Sequence, residues 1–230
     1  MSTRMEAAHQ LIEPSKRYTV REAVEVIKKA PAPKFDETIN VAIDLDIDPK
    51  QSDQMVRGTV LLPHGTGKTV KVLVFAKGDA ERQAKEAGAD IVGAEDLLNK
   101  IQTGWTDFDV VISTPDLMKE VGKLGRVLGP RGLMPSPKAG TVTTDVARAV
   151  KEVKKGKVEF KLDKQGDIHL GIGKRSFSTE ALVENVQALL EALWKAKPAS
   201  AKGRYVRAVS LSSSMGPGVR LNPSEGRIES

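Results

Sequence analysis

The chain has 230 residues, 40% of them hydrophobic, with no cysteine and a net charge of +6. That apolar content supports a packed core and excludes a wholly disordered chain, while the missing cysteine excludes a disulfide scaffold, a thiolate metal site and a cysteine nucleophile. No apolar run approaches the roughly 18 residues of a membrane span and residues 1–16 have no signal-peptide core, so a soluble, cytoplasmic protein without a membrane partner is expected.

Residues 21–30, REAVEVIKKA, set Ala23, Val24, Ile27 and Ala30 at helical spacing behind Thr19 as N-cap. Pro31 and Pro33 end that helix. In FDETINVAIDLDID, Ile39, Val41, Ile43, Leu45 and Ile47 alternate with Asn40, Ala42, Asp44 and Asp46, the mark of a half-buried strand. Residues 55–62 read as a second strand, stopped by Pro63 and Gly65.

The pattern then changes. VKVLVFA, residues 70–76, is almost continuously apolar, as in a strand buried on both faces. A helix (GDAERQAKEAGA), a short strand (IVG), a short helix (AEDLLNKIQ), an apolar strand (DVVIST) and a helix begun near Pro115 follow. This alternation predicts βαβ units and a mostly parallel sheet. Next comes LGRVLGPRGLMPSPKAGTV, residues 124–142, with four glycines, three prolines and no acid. Such a density of Gly and Pro predicts a loop without helix or central strand. Its free backbone N–H groups, with Arg126, Arg131 and Lys138, would bind a polyanion, most simply RNA. A helix over 144–154, capped by Thr144, closes this region.

Beyond Gly156 the alternating style returns. VEFKLD and DIHLGIG flank Lys164-Gln165-Gly166 and read as a hairpin. SFSTEALVENVQALLEALWKAK is the strongest amphipathic helix, capped by Ser178 or Thr179. YVRAVSLSSSMG reads as a strand with Val206, Ala208 and Ser210 on one face, and the tail from Pro217 as less ordered. The simplest account is an insertion in an α/β protein. Residues 1–67 and 157–230 form a two-layer α+β domain, and residues 68–156 a βαβ domain entered and left by neighbouring hinge strands.

Several motifs have bland readings. HGTGKT imitates a phosphate loop, but the required early Gly is Leu62 and a strand, not a helix, follows. No G-x-G-x-x-G follows the first βαβ strand. His9, His64 and His169 do not stand with carboxylates at metal-ligand spacing, so neither metal nor cofactor is expected. Asp44, Asp46 and Asp48 read as a solvated row. Phe35 is either a core anchor or an exposed ring at an RNA surface; residues 212–214 are either a polar strand end or hydroxyls set to meet ribose.

Taken in order, KFDETINVAIDL, LPHGTGKTVKVLVFAKG, GWTDFDVVISTPDLM, LGRVLGPRGLMPSPKAGTVT, GIGKRSFS and SSSMGPGVR resemble the ribosomal protein L-one family over nearly the whole chain, in its bacterial form. The resemblance implies a Rossmann-like three-layer inserted domain and an RNA-binding terminal domain. It implies a non-enzymatic constituent of the ribosome, monomeric when free. Its partners would be the large-subunit ribosomal RNA of the mobile stalk, exit-site tRNA, which it helps release once deacylated, and its own operon mRNA, which it represses. By the same resemblance Lys34, Phe35, Glu37, Thr38, Lys174, Ser176, Ser212, Ser214, Met215 and Gly216 would lie at the RNA surface. Arg126, Arg131 and Lys138 would form a secondary RNA or tRNA loop. Two other classes stay open on the residues alone: an enzyme binding a phosphorylated metabolite, and a basic scaffold without RNA specificity.

Overall fold

A computed structural model describes residues 3–49, 51, 54–198, 200, 201 and 203–224, with only the backbone for Glu95. In chain order the elements are α1 (Thr3–Gln10), α2 (Val20–Lys29), β1 (Thr38–Leu45), β2 (Arg57–Leu61), β3 (Val72–Phe75), α3 (Asp79–Glu86), β4 (Ile91–Gly93), α4 (Glu95–Gln102) and β5 (Val110–Ser113). Then come α5 (Met118–Gly122), α6 (Gly125–Leu128), α7 (Val146–Lys154), β6 (Lys157–Lys161), β7 (Asp167–Lys174), α8 (Thr179–Lys195), β8 (Val206–Ser213) and β9 (Val219–Leu221). The fold is α/β, and the chain divides into two compact units: Met1–Gly67 with Val158–Ser230, and Lys68–Lys157.

In the first unit a four-stranded antiparallel sheet runs β7-β1-β8-β9. Central β1 alternates strictly between half-buried and buried residues. Its inward row, Ile39, Val41, Ile43 and Leu45, joins Val24 and Ile27 of α2 and Leu182, Leu189 and Leu193 of α8 in one core. Truncating one of those leucines to Ala would cost about 2–5 kcal/mol. Thr19 and Glu22 cap α2 reciprocally, and Ser178, not Thr179, caps α8.

Three sequence expectations change here. First, β6 and β7 are not a hairpin: β6 pairs with β2 in a separate two-stranded sheet, while β7 pairs with β1. The turn at Gly166 (φ 95°) redirects the chain between the two sheets. Second, Ala208 is exposed and Val209, Leu211 and Ser213 face inward. A register shift opposite Asp44/Leu45 reverses the phase of β8 after Val206. Third, the tail is partly ordered: β9 pairs with β8 through Val209↔Leu221. Residues 225–230 lie outside the described residues.

The second unit holds a parallel sheet, β4-β3-β5. All four residues of β3 are buried because helices cover both faces. Val72 and Val74 meet Ala84 of α3 and Val150 of α7, while Leu73 and Phe75 meet Ile101 of α4 and Leu124 and Leu128. Asp145, not Thr144, caps α7 by accepting from the Arg148 N–H at 3.1 Å.

Candidate nucleic-acid interface

Register brings three distant segments to one end of the first unit's sheet. Thr38 opens β1 opposite Lys174 of β7, and on the other side Ile39 and Asn40 face Ser213 and Ser212 of β8. Beyond the paired residues, Thr38 and Ser214 clasp. The Thr38 N–H donates to Ser214 Oγ at 3.2 Å, and the Ser214 N–H donates to the Thr38 carbonyl at 3.0 Å.

Under this clasp sits Glu37, 1% exposed. One carboxylate oxygen accepts from Arg175 Nη1 at 2.8 Å; the other accepts from Ser213 Oγ at 3.0 Å and the Met215 N–H at 2.9 Å. Burial works to raise its pKa, but the Arg175, Met215 and Ser213 hydrogen bonds outweigh it and hold the carboxyl below its ordinary value. Arg175 also donates to the carbonyls of Lys28 and Ala30, tying the C-terminal end of α2 into the same knot. The expectation that Glu37 lies at the RNA surface is therefore corrected: a carboxylate with three internal donors is placed inside, where it braces what lies above it.

What lies above it is exposed and short. Phe35 and Met215 are 54% and 52% exposed, and Lys34, Ser176 and Ser214 are exposed as well. Thr38, Lys174, Ser212 and Gly216 are half-buried. Lys174 Nζ reaches Thr38 Oγ1 at 3.1 Å, and Ser176 is held by Asp36, its hydroxyl donating to Oδ2 at 2.8 Å. Arg4 of α1 donates to the Met215 carbonyl at 3.1 Å. A Cβ on Gly216 would stand 2.4 Å from Ser213 Oγ, so only glycine lets that hydroxyl serve Glu37. The result is a rigid patch of hydroxyls, main chain, one thioether and one aromatic ring, with cations at its margin. Such groups read ribose 2′-OH groups and sugar edges by close approach, which long cations do less selectively.

The Gly/Pro stretch in the second unit differs from expectation. It contains α6 and a 3₁₀ turn over Pro137–Ala139. Helix is tolerated because its prolines fall outside α6 and Leu124 and Leu128 anchor it in the core. Many of its backbone N–H groups are spent internally: Leu128 donates to Leu124, Leu133 to Leu128, and Ala139 and Thr141 to Ser136. The free N–H cradle is thus smaller than expected, and the positive side chains Arg126, Arg131 and Lys138 are all exposed. The HGTGKT segment does not form a phosphate loop; it leads to β3 with Gly65 and Gly67 at φ 65° and 70°. Among the described residues, Asp163, Asp167 and His169 converge closely enough to offer three ligand atoms, an approach that sequence spacing missed. Asp163 is occupied in accepting from the Gln165 and Asp167 N–H groups, which shapes the turn.

Residues 26–217 match the model of the ribosomal protein L1p/L10e family. The chain belongs to that family. It is also 57% identical over 227 residues to the large ribosomal subunit protein uL1 of Protochlamydia amoebophila (strain UWE25), covering 99% of this chain and 96% of the relative. The family match spans the whole patch, from Lys34 to Gly216, and the loop with Arg126, Arg131 and Lys138. Two residues central to the geometry were missed in the sequence, Arg175 and Asn185, and Ser213, read there as one of three hydroxyls set to meet ribose, instead serves Glu37. Fully buried in α8, Asn185 accepts from the His64 N–H at 3.1 Å and donates to the carbonyls of Gly65 and Ile172 at 3.0 and 2.7 Å. Its signal was a polar residue inside the apolar stripe of an amphipathic helix. For Arg175 one sequence carries no signal, since it looks like an ordinary surface residue.

Proposed function

We propose that this ribosomal protein is a structural constituent of the large subunit that holds stalk ribosomal RNA on the patch above Glu37. The carrying observation is the buried carboxylate knot, which fixes Thr38, Ser214, Met215 and Gly216 before any partner arrives. Preorganised short groups lose little entropy on binding and favour a folded RNA contour over a random strand. Lys34 and Lys174 add phosphate contacts that weaken with salt. Family membership argues for the ribosome rather than an enzyme, and no helix among the described residues is long and apolar enough to cross a membrane.

Filter binding of a stalk ribosomal RNA fragment tests the reading. Met215→Asp sets a carboxylate against the RNA and Thr38→Ala removes a hydroxyl; each weakens binding by about 1–3 kcal/mol. Unchanged affinity in both folded variants would sink the proposal. Two finer roles extend it. The exposed Arg126, Arg131 and Lys138 support a contact with exit-site tRNA that assists release once it is deacylated. A messenger segment that imitates the stalk would occupy the same patch and repress the operon. An in vitro translation assay in which added stalk RNA relieves repression checks the second role, and tRNA binding to Arg131→Ala checks the first.

A further inference from the structure

At the opposite end of the sheet lies a cavity of about 370 Å³, walled by Trp194, Lys197, Arg204, Tyr205, Pro223 and Ser224. It is remote from the Glu37 patch: β1 meets Lys174 and Ser213 at Thr38 and Ile39, but meets Val206 at Leu45, some seven residues or about 23 Å further along. The cavity is of the size that holds a small molecule.

Its chemistry has three parts. Among the described residues, Lys197 and Arg204 line it and no carboxylate does. Arg204 is pinned, donating through Nε to the Val206 carbonyl at 3.2 Å and through Nη2 to that of Arg207 at 3.1 Å, so its remaining N–H groups keep a set direction. The end of α8 contributes an opposing partial charge of roughly half a unit. That is offset by Lys195 in its last turn, by Lys197 and Arg204, and by the donors on the Leu193 and Trp194 carbonyls, Tyr205 Oη and the Lys197 N–H. The second part is aromatic: Trp194 and Tyr205 pack edge to face at 5.5 Å, with Lys197 Nζ 5.8 Å from the Tyr205 ring. The third is a vacancy in bonding: Trp194 Nε1 is buried with no hydrogen-bond partner among the described residues, and a buried indole N–H normally has one.

Cations beside a half-buried tryptophan packed on a buried tyrosine form the pattern that takes an unstacked base and its phosphate. We propose that this cavity is a second RNA contact, holding one nucleotide of a single-stranded stretch with its phosphate on Lys197 and Arg204 and its base against Trp194. The inference shares with the functional reading only the class of partner; the site is a separate one.

Trp194 reports on it directly. The chain has two tryptophans, so in full-length Trp105→Phe the emission comes from Trp194 alone. Titration with adenosine monophosphate and with a single-stranded oligoribonucleotide of adenosines should quench that emission saturably. Lys197→Glu in the same background should shift the midpoint at least tenfold, inorganic phosphate alone should leave the emission unchanged, and Trp194→Phe, retaining Trp105, should give no response. Absence of saturable quenching, an equal response in Lys197→Glu, or an equal response to phosphate alone would each overturn the proposal. Met215→Asp separates the two sites: it should keep the Trp194 response while losing stalk RNA on filters. A silent Trp194 beside a Met215-dependent stalk complex overturns this inference alone; a responsive Trp194 without stalk preference overturns the functional reading alone.

Discussion

Arg175 and Glu37 form a buried ion pair at 2.8 Å, with side chains 13% and 1% exposed, and it locks the end of α2 to the ends of β1 and β8. Removing one partner leaves the other charged and out of water. Arg175→Met should therefore destabilise the fold by about 3–5 kcal/mol, read as a fall in the urea midpoint. The pH dependence follows from the direction of the Glu37 shift. Its folded pKa lies below the ordinary 4.5, so its stabilisation is fully present above that value and is lost as pH falls through the depressed one. The gap in urea midpoint between wild type and Glu37→Gln should be full at neutral pH and close in acid. A gap that widens on acidification would contradict the assignment.

Gly216 tests whether the knot controls recognition as well as stability. An alanine Cβ would meet Ser213 Oγ at 2.4 Å and push it off Glu37. Gly216→Ala should cost about 1–3 kcal/mol of stability by overpacking and weaken stalk RNA binding. Gly216→Ala with Ser213→Ala removes the clash and should recover part of the stability. No recovery in the double variant would place the effect elsewhere.

Lys34 is exposed at the margin of the patch and belongs to the salt-sensitive part of binding. Lys34→Ala should lower affinity evenly across RNA sequences and reduce the slope of log affinity against log salt by about 1. Filter binding at several salt concentrations decides this; an unchanged slope means Lys34 touches no phosphate.

Asn185 holds the segment that leaves the first unit, bonding both the His64 N–H and the Gly65 carbonyl. Asn185→Leu suits the apolar stripe of α8 yet leaves those groups and the Ile172 carbonyl without their partner. It should destabilise by about 1–3 kcal/mol in urea unfolding and speed amide exchange at His64. A neutral or stabilising leucine would show that the amide serves no bonding role.

The amino-acid sequence by itself determined most of where this chain is helical, extended or turning, with α1 and α6 as exceptions. The strict alternation of β1, the unbroken apolar run of β3 and the cap at Thr19 are local patterns, and local sterics and burial periodicity read them directly. Its ordered motifs also carried the family. Tertiary structure decided what periodicity cannot encode. It set the partners of β6 and β7, the reversed phase of β8, and the folding of the Gly/Pro stretch onto Leu124 and Leu128. It also turned Glu37 inward. A carboxylate's burial depends on donors supplied by Arg175, Ser213 and Met215, which are at least 138 residues away in the chain and adjacent only once the sheet has formed.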